Sequence, residues 1–202
     1  LEEQATQQAV ERVADSVVHI QTVGGLDEAG SAATTLGGLT TGLVVDKNGW
    51  IISSAAAFEN HPSSILVTLP QSGPVPAEIV ATDHSRQFAL LKVETELDLL
   101  VPIAVPESEI QVGAWAIAVG RTYSPGTTNV SVGIVSARGR VQGRALQTDA
   151  KVSPANYGGP LIDIRGRVLG LLVPMTSASP AHPGGGQWYD SGIGFAVPLE
   201  QI

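Results

Sequence analysis

Apolar residues in the first twenty positions recur at helical spacing: Val10, Val13, Ala14 and Val17 fall at i, i+3, i+4 and i+7. The pattern predicts one amphipathic helix, with Glu2 and Glu3 near the end where the helix dipole favours acids. At Val17-Val18-His19-Ile20 the chain turns β-like. From Gly24 to Gly42 it is rich in Gly, Ala, Ser and Thr, offers nothing to anchor a core, and is expected to be mobile.

Beyond that segment, short β-prone runs alternate with turn signals. Leu43-Val44-Val45, then Asp46-Lys47-Asn48-Gly49, then Trp50-Ile51-Ile52 read as a hairpin, and Arg165-Gly166-Arg167 marks a second. Further strands are expected over 64–69, 77–82, 88–93, 115–119, 129–136, 145–149, 161–164, 168–173 and 193–197. About a dozen closely spaced strands without long helical patterns between them indicate an all-β sandwich or barrel pair, not βαβ units. The stretch 94–114, with Pro102 and Pro106, is the best internal boundary. It divides the chain into an amino-terminal helix and first strand (1–20), a first half (21–100) and a second half (101–202).

Composition narrows the function. The 202 residues suffice for one large domain or two small joined ones. A formal net charge of −8 argues against a nucleic-acid surface, which needs clustered basic charge. Gly 23 and Pro 13 suit many short strands and turns. Cysteine is absent, which removes disulfides, thiolate zinc sites and thiol catalysis. The longest charge-free stretch, Val168 to Tyr189, contains Pro174, Pro180, Pro183 and three consecutive glycines, so no membrane insertion is expected from it. The chain starts at Leu1 instead of Met, as expected where an upstream segment has been removed.

Seven motifs then stand in order. Thr41-Gly42-Leu43-Val44-Val45-Asp46-Lys47-Asn48-Gly49-Trp50-Ile51-Ile52 comes first, then Ala89-Leu90-Leu91-Lys92-Val93. Val112-Gly113-Ala114-Trp115-Ala116-Ile117-Ala118-Val119-Gly120 and Val132-Gly133-Ile134-Val135-Ser136 follow. Gln147-Thr148-Asp149-Ala150, Pro154-Ala155-Asn156-Tyr157-Gly158-Gly159-Pro160-Leu161 and Gly192-Ile193-Gly194-Phe195-Ala196-Val197-Pro198 complete the set. Together they resemble the HtrA (Deg) branch of trypsin-like serine proteases over residues 10 to 198. The resemblance implies two packed six-stranded antiparallel β-barrels with a peptide cleft between them.

It also locates three catalytic positions by motif. The family nucleophile precedes Gly-Gly-Pro-Leu, where this chain has Tyr157; the base histidine's place is taken by Ala56, and the orienting aspartate's by Gln87. A serine hydroxyl needs a neighbouring base, and the base needs an orienting group. Ala56 offers no proton acceptor and Gln87 no charge. Ala155 replaces the glycine two before the nucleophile, and its Cβ restricts the turn that would aim oxyanion-binding amides. Four such changes read as natural drift, not as one inactivating substitution.

The expectation at this level is therefore an HtrA-like pseudoprotease, not an enzyme, that binds protein or peptide segments or scaffolds an assembly. Its cleft candidates are Lys151, Ser153, Ala155, Asn156, Tyr157 and Gly158, and strand addition would hold the peptide. The alternatives are a weak hydrolase rebuilt on Lys151, Ser153 or Tyr157 or assisted by a metal, and a structural domain whose cleft Tyr157 fills. The resemblance implies a periplasmic, secreted or cell-envelope location, possible trimerisation or association with an active paralogue, and a PDZ domain following Ile202.

Smaller expectations concern single residues. His19, His61, His84 and His182 lack metal-ligand spacing, and no metal or cofactor is expected. Ser53 and Ser54 read as caps for a short helical turn at Ala55–Phe58, Asp83 as a turn residue, and Lys151 as solvated. Trp50, Trp115 and Trp188 read as barrel packing, with Trp188 in a Gly-rich loop.

Overall fold

The computed structural model describes residues 2–25, 38–69, 73–99, 101–175 and 192–202. The amino-terminal helix α1 (Glu2–Ala14) buries Ala9 and Val13. It is shorter than the twenty-residue pattern, because Val17 already belongs to strand β1 (Val17–Val23).

Two closed antiparallel barrels of six strands follow, as expected. The first contains β1, β2 (Leu39–Asp46), β3 (Trp50–Ser54), β4 (Ser64–Thr68), β5 (Pro74–Asp83) and β6 (Phe88–Val93), in the spatial order β1-β2-β3-β6-β5-β4. The second contains β7 (Trp115–Ser124), β8 (Thr127–Gly139), β9 (Ala145–Thr148), β10 (Pro160–Ile162), β11 (Val168–Leu172) and β12 (Gly194–Val197), in the order β10-β11-β12-β9-β8-β7. Closure leaves no free strand edge in either ring. Residues 94–114 belong to neither set of strands, though Ala104 bridges to Val168.

Burial on both faces explains why several strands are continuously apolar instead of alternating. In β2, Val44 points into the first barrel while Leu43 faces the junction with the second. Ile51 and Ile52 of β3 divide in the same way. On β7, Ala116 and Ala118 fill the second barrel, and Ile117 and Val119 join the junction. The junction layer also takes Ala9 and Val13 of α1 together with Ile162, Val168, Leu171, Val173 and Val197. Each large aliphatic side chain buried there contributes about 1.5–3 kcal/mol relative to exposure. The barrels are therefore held to each other by a core of the same kind as their interiors.

Three expectations need correction here. Strand β2 begins at Leu39, inside the segment expected to be mobile; Leu39, Thr40 and Thr41 pair with Gln21, Ile20 and His19, so partner strands supply the order that composition does not. Residues 26–37 of that segment lie outside the described residues. Trp115 is 43% exposed, because it stands at the rim of β7 opposite Ile134, itself 37% exposed. Trp50 is half-buried with Lys92 Nζ 5.9 Å from its ring centroid, and Trp188 lies outside the described residues. The serine caps are likewise absent: neither the Ser54 side chain nor any other caps the 3₁₀ turn Ala55–Phe58. Among the described residues no helix is long and apolar enough to cross a membrane.

Candidate functional site

Three chain segments meet where the barrels touch: the end of β3 with its 3₁₀ turn, the turn before β6, and the turn before β10. Their relation is set by backbone bonds. Ala55 N donates to Gln87 O at 3.0 Å, which ties the start of the Ala55–Phe58 turn to the residue preceding β6. Thr41 N donates to Tyr157 O at 3.4 Å, which ties β2 to the turn before β10. Ser53 Oγ donates to Thr41 O at 2.6 Å and joins the two pairs from within. Ala56, Gln87 and Tyr157 are all half-buried.

The turn before β6 is organised by one carboxylate. Asp83 Oδ1 accepts from Ser85 N at 2.8 Å, Ser85 Oγ at 2.6 Å and Arg86 N at 3.0 Å. Its Oδ2 meets Arg86 Nη1 at 2.9 Å. The Ser85 hydroxyl, followed by the bonds from Arg86 and the Ser85 amide, holds the Asp83 carboxyl far below the usual carboxylate range, against the opposing effect of burial. This is the turn role expected of Asp83. The turn ends on Gln87 at φ 62°, a left-handed conformation that costs a non-glycine residue roughly 1 kcal/mol. Gln87 Nε2 donates to His84 O at 2.7 Å.

The turn before β10 closes its amides on itself and has its carbonyls held by distant strands. Asn156 N donates to Ser153 O at 2.8 Å and Tyr157 N to Pro154 O at 3.3 Å, so both amides are engaged within the turn. Tyr157 O accepts from Thr40 Oγ at 3.1 Å as well as from Thr41 N. Ala155 O accepts from Thr122 Oγ at 2.7 Å. Gly158, at φ +82°, presses its α-carbon against Thr41 O and Ser53 Oγ, and a Cβ there would overlap both. Gly158 N reaches Leu172 O at 2.8 Å.

Among the expected cleft residues, Ala155, Asn156 and Gly158 are buried and Tyr157 half-buried. Ser153 is half-buried with its Oγ 3.5 Å from Asn156 Oδ1. Lys151 is exposed and makes no hydrogen bond among the described residues, so it joins neither Ser153 nor Tyr157 as a pair. Ser54 Oγ is fully buried without a hydrogen-bond partner among the described residues. Sequence reasoning missed Thr40, Thr41 and Thr122 as site residues; nothing local marks them, since their partners lie 117, 81 and 33 residues away along the chain. His19 Nδ1 lies 3.0 Å from Arg121 O, and among the described residues no group of three His, Asp or Glu side chains is placed to hold a metal ion.

Comparison with known proteins agrees with this architecture. The family model described as trypsin-like peptidase domain matches residues 40–171. A Chlamydia trachomatis protein named "Probable periplasmic serine endoprotease DegP-like" is 34% identical over 164 residues, covering 78% of this chain and 31% of its own length. "Serine protease HTRA4" of Mus musculus is 30% identical over 203 residues, covering 96% of this chain and 38% of its own. The solved structure described as HtrA-type protease AlgW with tripeptide has a TM-score of 0.77 at 25% identity, covering 97% of this chain and 60% of that one. The chain thus spans 31% and 38% of the length of these two curated relatives.

One expectation is overturned by these relatives. The chain was expected not to be an enzyme, on the strength of the side chains at Ala56, Gln87, Tyr157 and Ala155. Proteins 30–34% identical over most of it are named serine proteases or endoproteases, and the double barrel is a peptidase architecture. Substituted side chains at motif-matched positions do not by themselves establish loss of activity.

Proposed function

This chain belongs to the trypsin-like peptidase family, in its HtrA branch, and from that premise we propose that it holds extended segments of unfolded protein at the barrel junction, against the turn 153–158. The supporting observation is the convergence of Ala55–Gln87 and Thr41–Tyr157 through Ser53, which gathers three segments of two barrels at one place. In this reading Ala56, Gln87 and Tyr157 occupy the family's base, orienting and nucleophile positions. Lys151, Ser153, Ala155, Asn156 and Gly158 form the neighbouring wall. The bound segment is recognised mainly through its backbone, as in strand addition, so the site takes many sequences. The net charge of −8 makes polypeptide a better partner than nucleic acid. The periplasm or cell envelope is the proposed compartment, after the relatives named periplasmic.

Fluorescein-labelled β-casein titrated with the chain tests the reading by anisotropy. Binding is expected, weakened several-fold by Tyr157→Ala and by Lys151→Glu. Lys47→Glu, on the hairpin turn at the opposite end of β2 and β3, is expected to leave it unchanged. Equal binding by all four proteins would remove the site from the junction. Gel analysis of the same mixtures measures cleavage of the bound casein.

A further inference from the structure

We propose that Thr41 and Thr122 are positioning residues for this site, acting through a one-way chain of hydrogen bonds that ends on the carbonyl of Ala155. The proposal rests on the reading of the junction as the polypeptide site. Its basis is a proton count. Thr122 Oγ lies 2.7 Å from Ala155 O, which can only accept, so the Thr122 hydroxyl proton points there. Thr122 Oγ must then accept across the 3.0 Å contact with Thr41 Oγ, and Thr41 is the donor. Thr41 Oγ accepts in turn from Arg121 N at 2.8 Å. The order is therefore Arg121 N–H to Thr41 to Thr122 to Ala155 O, with one proton for each link. The 3.5 Å approach of Thr41 Oγ to Ala155 O is the longer alternative for the same proton.

Position makes this chain more than a local bond. Thr41 is on β2 of the first barrel and Thr122 on β7 of the second, and they are 0% and 6% exposed. A relative shift of the barrels would stretch the link between them. Buried hydroxyl chains polarise one another, and an unmet donor or acceptor inside them is costly. The residue that starts the chain is itself anchored at its carbonyl and at its guanidinium. Arg121 O faces His19 Nδ1 of β1 at 3.0 Å, and Arg121 Nη2 donates to Ala14 O at the end of α1 at 2.9 Å. At the other end, Ala155 O lies so close over Gly120 that a Cβ there would overlap it.

The consequence falls on the turn. Ala155 O shares a peptide plane with the amide of Asn156, so fixing one orients the other. Tyr157 O is bound by Thr40 Oγ and Thr41 N. Two carbonyls of the turn are thereby drawn to the barrel junction and kept from opposing the backbone of an arriving segment. Thr41 and Thr122 touch no substrate in this scheme; they act through the turn.

Thr122→Val keeps the shape and removes the donor, Thr122→Ser keeps the donor, and Ile51→Val perturbs the first barrel's core without touching the turn. Labelled β-casein binding is expected to weaken about tenfold in Thr122→Val, with Thr122→Ser within about twofold of wild type and Ile51→Val unchanged whatever its loss of Tm. Casein binding by Thr122→Val equal to wild type, or no better in Thr122→Ser than in Thr122→Val, would overturn the proposal. Amide hydrogen exchange supplies a readout independent of ligand. Faster exchange at Asn156 and Gly158 in Thr122→Val than in Ile51→Val supports the chain, and equal exchange overturns it. Wild type that binds no casein overturns the reading of the site, while the exchange comparison still decides the hydroxyl chain.

Discussion

Two turns bring residues to the barrel junction, and they are built on opposite plans. The turn that ends on Gln87 is organised by Asp83, four residues earlier, which gathers two backbone amides, a hydroxyl and a guanidinium on one carboxylate. The turn carrying Tyr157 is held by hydroxyls from strands far along the chain, Thr40 and Thr122, and by Thr41 N. The first takes most of its bonds from within itself and one from the second barrel, where Arg144 Nη1 donates to Ser85 O at 2.8 Å; the second takes the bonds to its carbonyls from distant strands. A site made from one turn of each kind has one wall shaped mainly by near neighbours and one wall that registers the fit between barrels.

The sharpest way to break the comparison is Gly158→Ala. Its φ of +82° and the overlap of a Cβ with Thr41 O and Ser53 Oγ leave the turn no room, and a loss of about 3–4 kcal/mol is expected. Thermal unfolding should show Tm falling on the order of 10 °C for a chain of this size. A drop no larger than a surface substitution's would mean that the turn relaxes independently of the first barrel. The next experiment asks whether both turns address one point. Tyr157→Ser/Ala56→His/Gln87→Asp is expected to cleave casein at least about tenfold faster than wild type. Aspartate at the positive φ of Gln87 is tolerated better than most residues, which favours folding of this variant. No gain in a folded triple variant would argue that the three side chains do not converge.

Smaller effects separate the neighbouring serines. Ser53→Ala loses the 2.6 Å bond to Thr41 O and leaves that carbonyl short of a donor, so urea unfolding should show a loss of about 1 kcal/mol. Ser54→Ala removes a buried hydroxyl without a partner and is expected to be neutral or slightly stabilising in the same titration. Asp83→Ala has a small expected effect as well, under about 1 kcal/mol at neutral pH, because the Asp83–Arg86 pair is partly solvent-exposed. Its pH dependence has a definite sign. The folded Asp83 carboxyl titrates below its unfolded value of about 4, so its contribution is complete above that pH and is lost as acid protonates it. Stability curves of wild type and Asp83→Ala should therefore converge below about pH 4.

How much of this could be read from the chain follows the same division between near and distant partners. The Asp46–Gly49 and Arg165–Arg167 hairpin turns, the β6 run at 88–93 and the Asp83 turn are local patterns, and each appears where its residues indicate. Seven ordered motifs sufficed for the family and for two barrels. Thr122 and Ser53 were not legible as site residues, because a hydroxyl acquires its role only from the carbonyl that folding brings to it. The exposed Trp115 misled for a related reason: its β-prone setting cannot say whether its end of the strand is covered. The inference that the chain is not an enzyme leaned on four positions, Ala56, Gln87, Ala155 and Tyr157, and relatives named as proteases across most of its length weigh against it.

The docking of α1 has a consequence for synthesis on the ribosome. The helix is made well before its docking partner: Arg12 reaches Arg165 O across 153 residues, and Ala9 and Arg12 pack against Gly166. At roughly 5–20 residues per second, its docking surface emerges on the order of ten seconds later. Throughout that interval Ala9 and Val13, which the finished protein buries completely, have no partner from their own chain at that surface. The nascent first barrel thus carries an amphipathic helix whose apolar stripe is covered only when the second barrel arrives.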